Sequence, residues 1–133
     1  CVLSLPFDIT AKLATERALR DSEARYRELF ENAVGGVYRL SPEGRFITVN
    51  PALARLFGFE QPAEMLAWHE RERGGVAYAD PNEHKRFVEL ITRHGKVENF
   101  ESQIVDRHGH ILWIAETSRA VRDEEGRLLY YEG

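Results

Sequence analysis

A chain of 133 residues, of which 43% are apolar and 30% charged, has the composition of one folded domain with at most a helical appendage. Its net charge of −4 argues against a nucleic-acid partner, since phosphate binding needs clustered Lys and Arg. The one cysteine excludes a disulfide framework, and no apolar run approaches the ~20 residues of a membrane helix. We therefore expect a cytoplasmic location for this stretch and no direct membrane contact.

The first predicted element is a long helix over residues 11–33, which contains no Gly or Pro and is rich in Ala, Leu, Glu and Arg. Its apolar stripe strengthens toward the C-terminal end, so we expect the second half of the helix to pack against something. The residues selected for that contact are Leu19, Tyr26, Leu29 and Phe30.

Two short strands and a capped helix follow. Ser41–Gly44 has the pattern of a β-turn, with Pro second and Gly last, and it separates strands over 37–40 and Phe46–Val49. Asn50 is a predicted N-cap, because its side-chain oxygen can accept a hydrogen bond from the first helical turn. Pro51 then occupies the first helical position, where its missing N–H costs nothing.

Two further helices are predicted in the middle of the chain. The first covers Pro62–Ala67, and residues 68–79 then read as a mobile loop with at most one helical turn. Asp80 is the predicted N-cap of the second, with Pro at the first position and Glu83 completing a capping box. Gly95 ends that helix.

Three strands complete the chain, over residues 97–104, 111–121 and 128–131, with turn sequences between them. The order is therefore helix, two strands, helices, three strands. This order predicts an α+β domain, in which a five-stranded antiparallel sheet carries helices on one face.

Several segments, in this order and spacing, resemble the PAS domain, specifically the PAS/PAC sensory-box type found in tandem in bacterial histidine kinases and diguanylate cyclases. The resemblance covers about residues 23–133. It is carried by Tyr26–Ala33, Pro42–Arg45, Val49–Ala54, Asp80-Pro81, Asn99–Gln103, Gly109 with Trp113-Ile114, Asp123–Gly126 and Tyr130–Gly133.

The resemblance implies a division of the chain. Such domains usually close with an Asp-Ile-Thr motif just beyond Tyr-Glu-Gly, whereas this sequence stops at Gly133 and carries Asp8-Ile9-Thr10 near its start. We expect residues 1–10 to be the tail of a preceding PAS repeat, disordered or paired as a strand with a neighbouring chain. Residues 11–33 would be a linker and dimerisation helix, and residues 34–133 a PAS domain without its exit motif.

The resemblance also implies a function. The chain would be a sensory module of a bacterial signal-transduction protein, forming a homodimer through its N-terminal helix. It would relay a signal between adjacent PAS domains and an output domain, a histidine kinase or a diguanylate cyclase. The parent protein would be a signalling enzyme, and its membrane topology stays open. The alternative is an unliganded spacer that holds dimer geometry.

No catalytic or metal-binding set is predicted. His69-Glu70 lacks the second His of a zinc protease helix, and His108 and His110 around Gly109 supply too few ligands for a metal site. Flavin photochemistry of the family's cysteine type is not expected, because the core has no Cys. Haem is not expected, because the family's ligand position falls nearer Arg86 and His84 should face water.

An unidentified small ligand stays open, against the alternative that aromatic side chains simply fill the core. On the fourth strand, either Trp113, Ala115 and Thr117 or Leu112, Ile114 and Glu116 face inward, and the sequence does not decide between them. Asn50 and Asp80 are expected to act as helix caps. The pocket candidates are Tyr38, Leu40, Phe57, Phe87, Phe100, Ser102, Ile104, Trp113 and Ala115.

Overall fold

Helix α1, Ser4–Asn32, forms one structural unit, and residues 33–133 form a second. The computed structural model describes the backbone of residues 4–133 and the side chains from residue 10 onward. In this described part no helix is long and apolar enough to cross a membrane.

The helix begins earlier than predicted, so Asp8-Ile9-Thr10 is helical and the prediction of a strand or a disordered segment there is wrong. Pro6 falls in the first turn, where the helix does not need its missing N–H, so Pro6 is compatible with a helix that begins at Ser4. Residues 1–3 of the predicted repeat tail lie outside the described residues. The assignment of residues 1–10 to a preceding repeat stays a prediction.

The second unit is built on the predicted five-stranded antiparallel sheet. The strands are β1 Tyr38–Leu40, β2 Phe46–Val49, β3 Lys96–Val105, β4 Ile111–Arg122 and β5 Leu128–Glu132. Their spatial order is β2-β1-β5-β4-β3, so the last strand lies between the first hairpin and the β3–β4 hairpin. Asn99 has a φ of 50° at an irregularity in β3, a left-handed conformation that Asn tolerates.

The helices between β2 and β3 bury their apolar residues against the inner face of the sheet. They are α2 Pro51–Leu56, α3 Pro62–Trp68 and α4 Pro81–His94. A π-helical turn, His69–Arg73, continues directly from α3, in the segment predicted as a mobile loop with at most one helical turn. The core they form with the sheet includes Phe57, Met65, Phe87 and Ile91.

Asn50 does more than cap α2. Its Oδ1 accepts hydrogen bonds from Leu53 N (3.0 Å) and Val37 N (2.9 Å), while its Nδ2 donates to Gly35 O at 3.0 Å. The side chain is fully buried. It therefore ties the start of α2 to the segment that enters β1. Asp80, by contrast, is an exposed cap whose carboxylate accepts from Asn82 N at 2.9 Å.

These two caps predict different stability losses. Asn50→Ala should lower the free energy of unfolding by about 3 kcal/mol, because it removes a cap and leaves buried main-chain groups unpaired. Asp80→Ala should cost about 1 kcal/mol, because water replaces the lost bond. Urea unfolding followed by fluorescence measures both. Equal losses for the two variants would contradict the bridging role of Asn50.

Candidate functional site

Most of the predicted pocket residues meet in one interior, between the inner face of the sheet and helices α2 and α4. Each of these side chains is at least nine-tenths buried. They come from β1, β3, α4 and the end of α2, which the fold brings together. The residues are Tyr38, Leu40, Phe57, Phe87, Phe100, Ser102 and Ile104.

Trp113 and Ala115 do not belong to this interior, and their assignment to it is wrong. Trp113 is 71% exposed on the outer face of β4, where Ala115 is also exposed and both line a shallow depression with Glu101. The inward-facing residues of β4 are instead Leu112, Ile114 and Glu116, which are more buried than their neighbours. Because β4 carries apolar residues on both faces, its alternation could not identify the inner one.

A carboxylate is therefore placed on the inner face, and two tyrosines hold it. The Tyr38 hydroxyl donates to Glu116 Oε2 at 2.6 Å, and the Tyr78 hydroxyl donates to Oε1 at 3.0 Å. From the sequence, Glu116 belonged to only one of two possible inward-facing sets, and Tyr78 was not among the predicted pocket residues. The available indication was that Glu116 lies on the same face of β4 as Leu112 and Ile114. That indication points to a buried site only once this face is known to be the inner one.

The two tyrosines reach Glu116 along the inner face from opposite directions across the strands. Tyr38 lies on β1, and β5 separates it from β4. Tyr78 lies beyond the other edge, where it pairs with Ile104 of β3. Tyr38 is also paired through its backbone with Gly133, since Tyr38 N donates to Gly133 O (2.9 Å) and Gly133 N donates to Tyr38 O (3.1 Å).

Burial dominates the electrostatics of this cluster. Desolvation raises the pKa of the Glu116 carboxyl, and the hydrogen bonds from Tyr38 and Tyr78 partly oppose that rise because they favour the ionised form. Burial also raises the pKa of both tyrosines, and the nearby Glu116 charge raises it further. Both phenols therefore keep their protons at neutral pH and act as donors.

Ser102 adds a second polar group to the same surface. It is 1% exposed, and its Oγ has no hydrogen-bond partner within the described residues. Ser102 lies on β3 between Phe100, which pairs with Glu116, and Ile104, which pairs with Tyr78. The Ser102 hydroxyl therefore faces the interior between Glu116 and Tyr78, which are hydrogen-bonded to each other.

His69 is a buried histidine surrounded by aromatic rings. Its burial was not predicted from the sequence. Its Nδ1 lies 3.0 Å from Met65 O, and because a carbonyl only accepts, Nδ1 carries the proton. The rings of Phe46, Phe57 and Trp68 surround it with centroids 4.8–5.0 Å away. Desolvation, the largest cause, lowers the pKa of His69 to about 4, so the ring is neutral at physiological pH.

The other histidines occupy exposed positions. Asp106 Oδ1 accepts from the backbone N–H groups of His108 and His110, each at 2.8 Å, so this trio stabilises the β3–β4 turn. His84 is exposed on the first turns of α4. Across the described part of the chain, no group of three or more His, Cys, Asp or Glu side chains could hold a metal ion.

Comparison with known sequences places the chain in a family. The sequence model of the PAS domain matches residues 24–92, just over half of the chain. A solved domain of a sensory box sensor histidine kinase/response regulator from Geobacter sulfurreducens is similar, with a TM-score of 0.60 and 25% identity over 86% of this chain and 95% of that one. This chain belongs to the PAS domain family.

Curated relatives are signalling proteins. The biofilm dispersion protein BdlA of Pseudomonas aeruginosa is 32% identical over 88 residues, which are 66% of this chain and 21% of that protein. Sporulation kinase E of Bacillus subtilis is 38% identical over 64 residues, which are 48% of this chain and 8% of the kinase. This chain therefore spans less than a quarter of the length of either relative.

The Glu116 cluster predicts a pH-dependent effect of Tyr78→Phe. At pH 7 the variant should lose about 2 kcal/mol of unfolding free energy, because a partly buried carboxylate loses a donor. At pH 4 the loss should be smaller. An acid whose folded pKa is raised destabilises the fold as pH rises, and losing a donor to its ionised form raises that pKa further.

Chemical denaturation at both pH values measures this loss. Tyr130→Phe, on the outer face beneath Arg39, is the matched control and should change stability by less than about 0.5 kcal/mol. In the Glu116→Gln background the Tyr78→Phe loss should shrink and lose its pH dependence. An undiminished loss there would show that the Tyr78 hydroxyl acts through another group.

His69 predicts a loss of stability in acid. Its folded pKa of about 4 lies below its unfolded value, so the unfolded chain binds more protons between pH 6.5 and 4. Its contribution is complete above pH 6.5 and falls by about 3 kcal/mol as pH drops through that window. His69→Phe should flatten this part of the stability–pH curve, whereas the exposed His108→Gln should leave it unchanged. If His69→Phe kept the wild-type dependence of stability on pH between 6.5 and 4, His69 would be excluded as the source of that dependence.

Proposed function

We propose that this chain is a sensory and regulatory module of a multidomain bacterial signalling protein. It senses a small ligand or a neighbouring domain and relays the change through a dimeric helical linker to an output domain, a histidine kinase or a diguanylate cyclase. The module itself is not an enzyme. The proposal rests chiefly on the partly buried Glu116 cluster, because a carboxylate held by two tyrosines on the inner face of the sheet, with a raised pKa, is typical of a functional site.

The relatives support the signalling context. The chain is similar to stretches of a histidine kinase and a biofilm dispersion protein, each several times longer than the matched region. A module embedded in a longer chain acts by changing how its neighbours are held. On this proposal the module lies in the cytoplasm. Its signal arises because the ligand or the neighbouring domain binds differently to two arrangements of the helical linker.

Helix α1 supplies the proposed dimer contact. Leu19, Tyr26 and Leu29 fall on one stripe of the helix and are 60%, 46% and 67% exposed, and the Tyr26 and Phe30 rings stack at 6.0 Å. Leu19 and Tyr26 are seven residues apart, and Leu29 follows three residues later, the spacing that buries side chains between paired helices. A second copy of the same helix therefore offers the complementary surface.

A spacer without a ligand is the second candidate, and the packing of the core favours it. Edge-to-face aromatic pairs fill much of the interior, including Phe87 with Phe100 at 5.8 Å and Phe87 with Tyr131 at 6.0 Å. Such packing stabilises the domain without a bound molecule. The two candidates share the dimer and differ in whether the interior binds a ligand.

Light scattering on the purified chain tests the dimer. We expect the molar mass of a dimer, and we expect Leu19→Ser/Leu29→Ser to shift the chain to monomer by at least tenfold in dissociation constant, because the apolar stripe is lost. Arg17→Ser/Glu28→Ser changes the opposite side of the helix and should remain dimeric. A wild-type monomer at 100 μM, or equal behaviour of the two double variants, would refute the helix-mediated dimer.

A further inference from the structure

The interior beside Glu116 contains more hydrogen-bond acceptors than donors. A carboxylate has about four acceptor positions, and the hydroxyls of Tyr38 and Tyr78 fill two of them. The Tyr78 oxygen keeps acceptor capacity after donating its proton. Among residues 4–133, no Lys or Arg side chain forms an ion pair with Glu116. What this surface lacks is a donor, and preferably a positively charged one.

Ser102 independently indicates a missing partner. Its Oγ is buried and makes no hydrogen bond with any described residue, although a buried hydroxyl normally makes one. By strand register it lies diagonally across from Glu116 and one inward-facing position from Ile104, the neighbour of Tyr78.

The charges around the cluster favour a cation. Glu83, on the first turn of α4, contributes to the raised pKa of Tyr78 and so adds negative potential. Arg86 lies 3.3 Å from the Glu83 carboxylate, but the Arg86 side chain is 53% exposed. His84 is exposed, and its ring lies 6.1 Å from the Tyr78 ring. An anionic ligand would meet two carboxylates, whereas a cation would compensate the partly buried charge of Glu116.

We propose that this inner face binds a small organic ammonium ion, whose N–H groups donate to the Glu116 carboxylate, the Tyr78 oxygen and Ser102 Oγ. An ammonium carries three donors and no acceptor, which matches the three acceptors. Its short alkyl part would lie against Phe100 and Ile104. This assignment rests on the proposed sensory function and specifies the chemical class of its ligand.

Isothermal titration of the full chain with n-propylammonium chloride tests the assignment, at constant ionic strength and pH 7. A four-heavy-atom ligand should bind with a dissociation constant of about 1 mM. The matched probes n-propanol and sodium propionate share its size and differ in charge. Both should bind at least tenfold more weakly, and amide NMR shifts from the ammonium should centre on Ser102, Glu116 and Tyr78.

Two variants test whether propylammonium binds at Glu116 and Ser102 and not elsewhere on the chain. Glu116→Gln keeps the shape and removes the charge, so propylammonium binding should weaken at least tenfold. Ser102→Ala should weaken it about threefold with the fold intact, which keeps the test valid if Glu116→Gln is unstable. Glu101→Gln, on the exposed outer side of β3, is the charge-matched control and should bind like the wild type.

The binding and molar-mass measurements test the ligand class and the relay separately. Equal binding of propanol or propionate, undiminished binding by Glu116→Gln, or no binding of propylammonium at 20 mM would overturn the ammonium assignment. The molar mass of the same samples reports on the proposed relay. A dimer that binds propanol alone refutes the ligand class and leaves the sensory role standing, while a monomer that binds propylammonium supports the site and refutes the relay.

Discussion

The constraint on which this domain depends is the placement of one partly buried carboxylate on the inner face of the sheet. Glu116 stands on the inner face of the fourth strand, where an unpaired charge would be expensive, and the Tyr38 and Tyr78 hydroxyls each donate to one of its two oxygens. One phenol comes from β1 and the other from beyond the outer edge of β3. Three segments distant in sequence are thereby held at fixed separations, and the interior acquires a polar centre among aromatic side chains.

Sequence reasoning succeeded where the determining interactions are local. Asn50 and Asp80 cap the predicted helices, because cap chemistry involves residues within one turn. It failed where the outcome depends on a distant partner. Trp113 and Glu116 alternate on one strand, and nothing within β4 says which side the helices will cover. His69 likewise gave no local indication, since its burial results from Phe46 and Phe57 reaching it from other elements.

The family assignment and the chemistry of the interior have different origins. Family membership follows from the sequence match over residues 24–92, and similarity to a solved domain at a TM-score of 0.60 accompanies it. Neither comparison specifies what the interior recognises. That property depends on a few side chains of this chain, chiefly Glu116, Tyr78 and the unpartnered hydroxyl of Ser102.

Tyr38 belongs to two networks at once. Its hydroxyl binds Glu116 in the core, while its N–H and carbonyl form both hydrogen bonds with Gly133 at the end of the last strand. A side chain at position 133 would collide with Thr117 O and with the same tyrosine hydroxyl, so the backbone here packs directly against the polar centre. A change in the protonation or binding of the Glu116 carboxylate therefore reaches the main-chain pairing between β1 and the end of β5 through one residue, Tyr38.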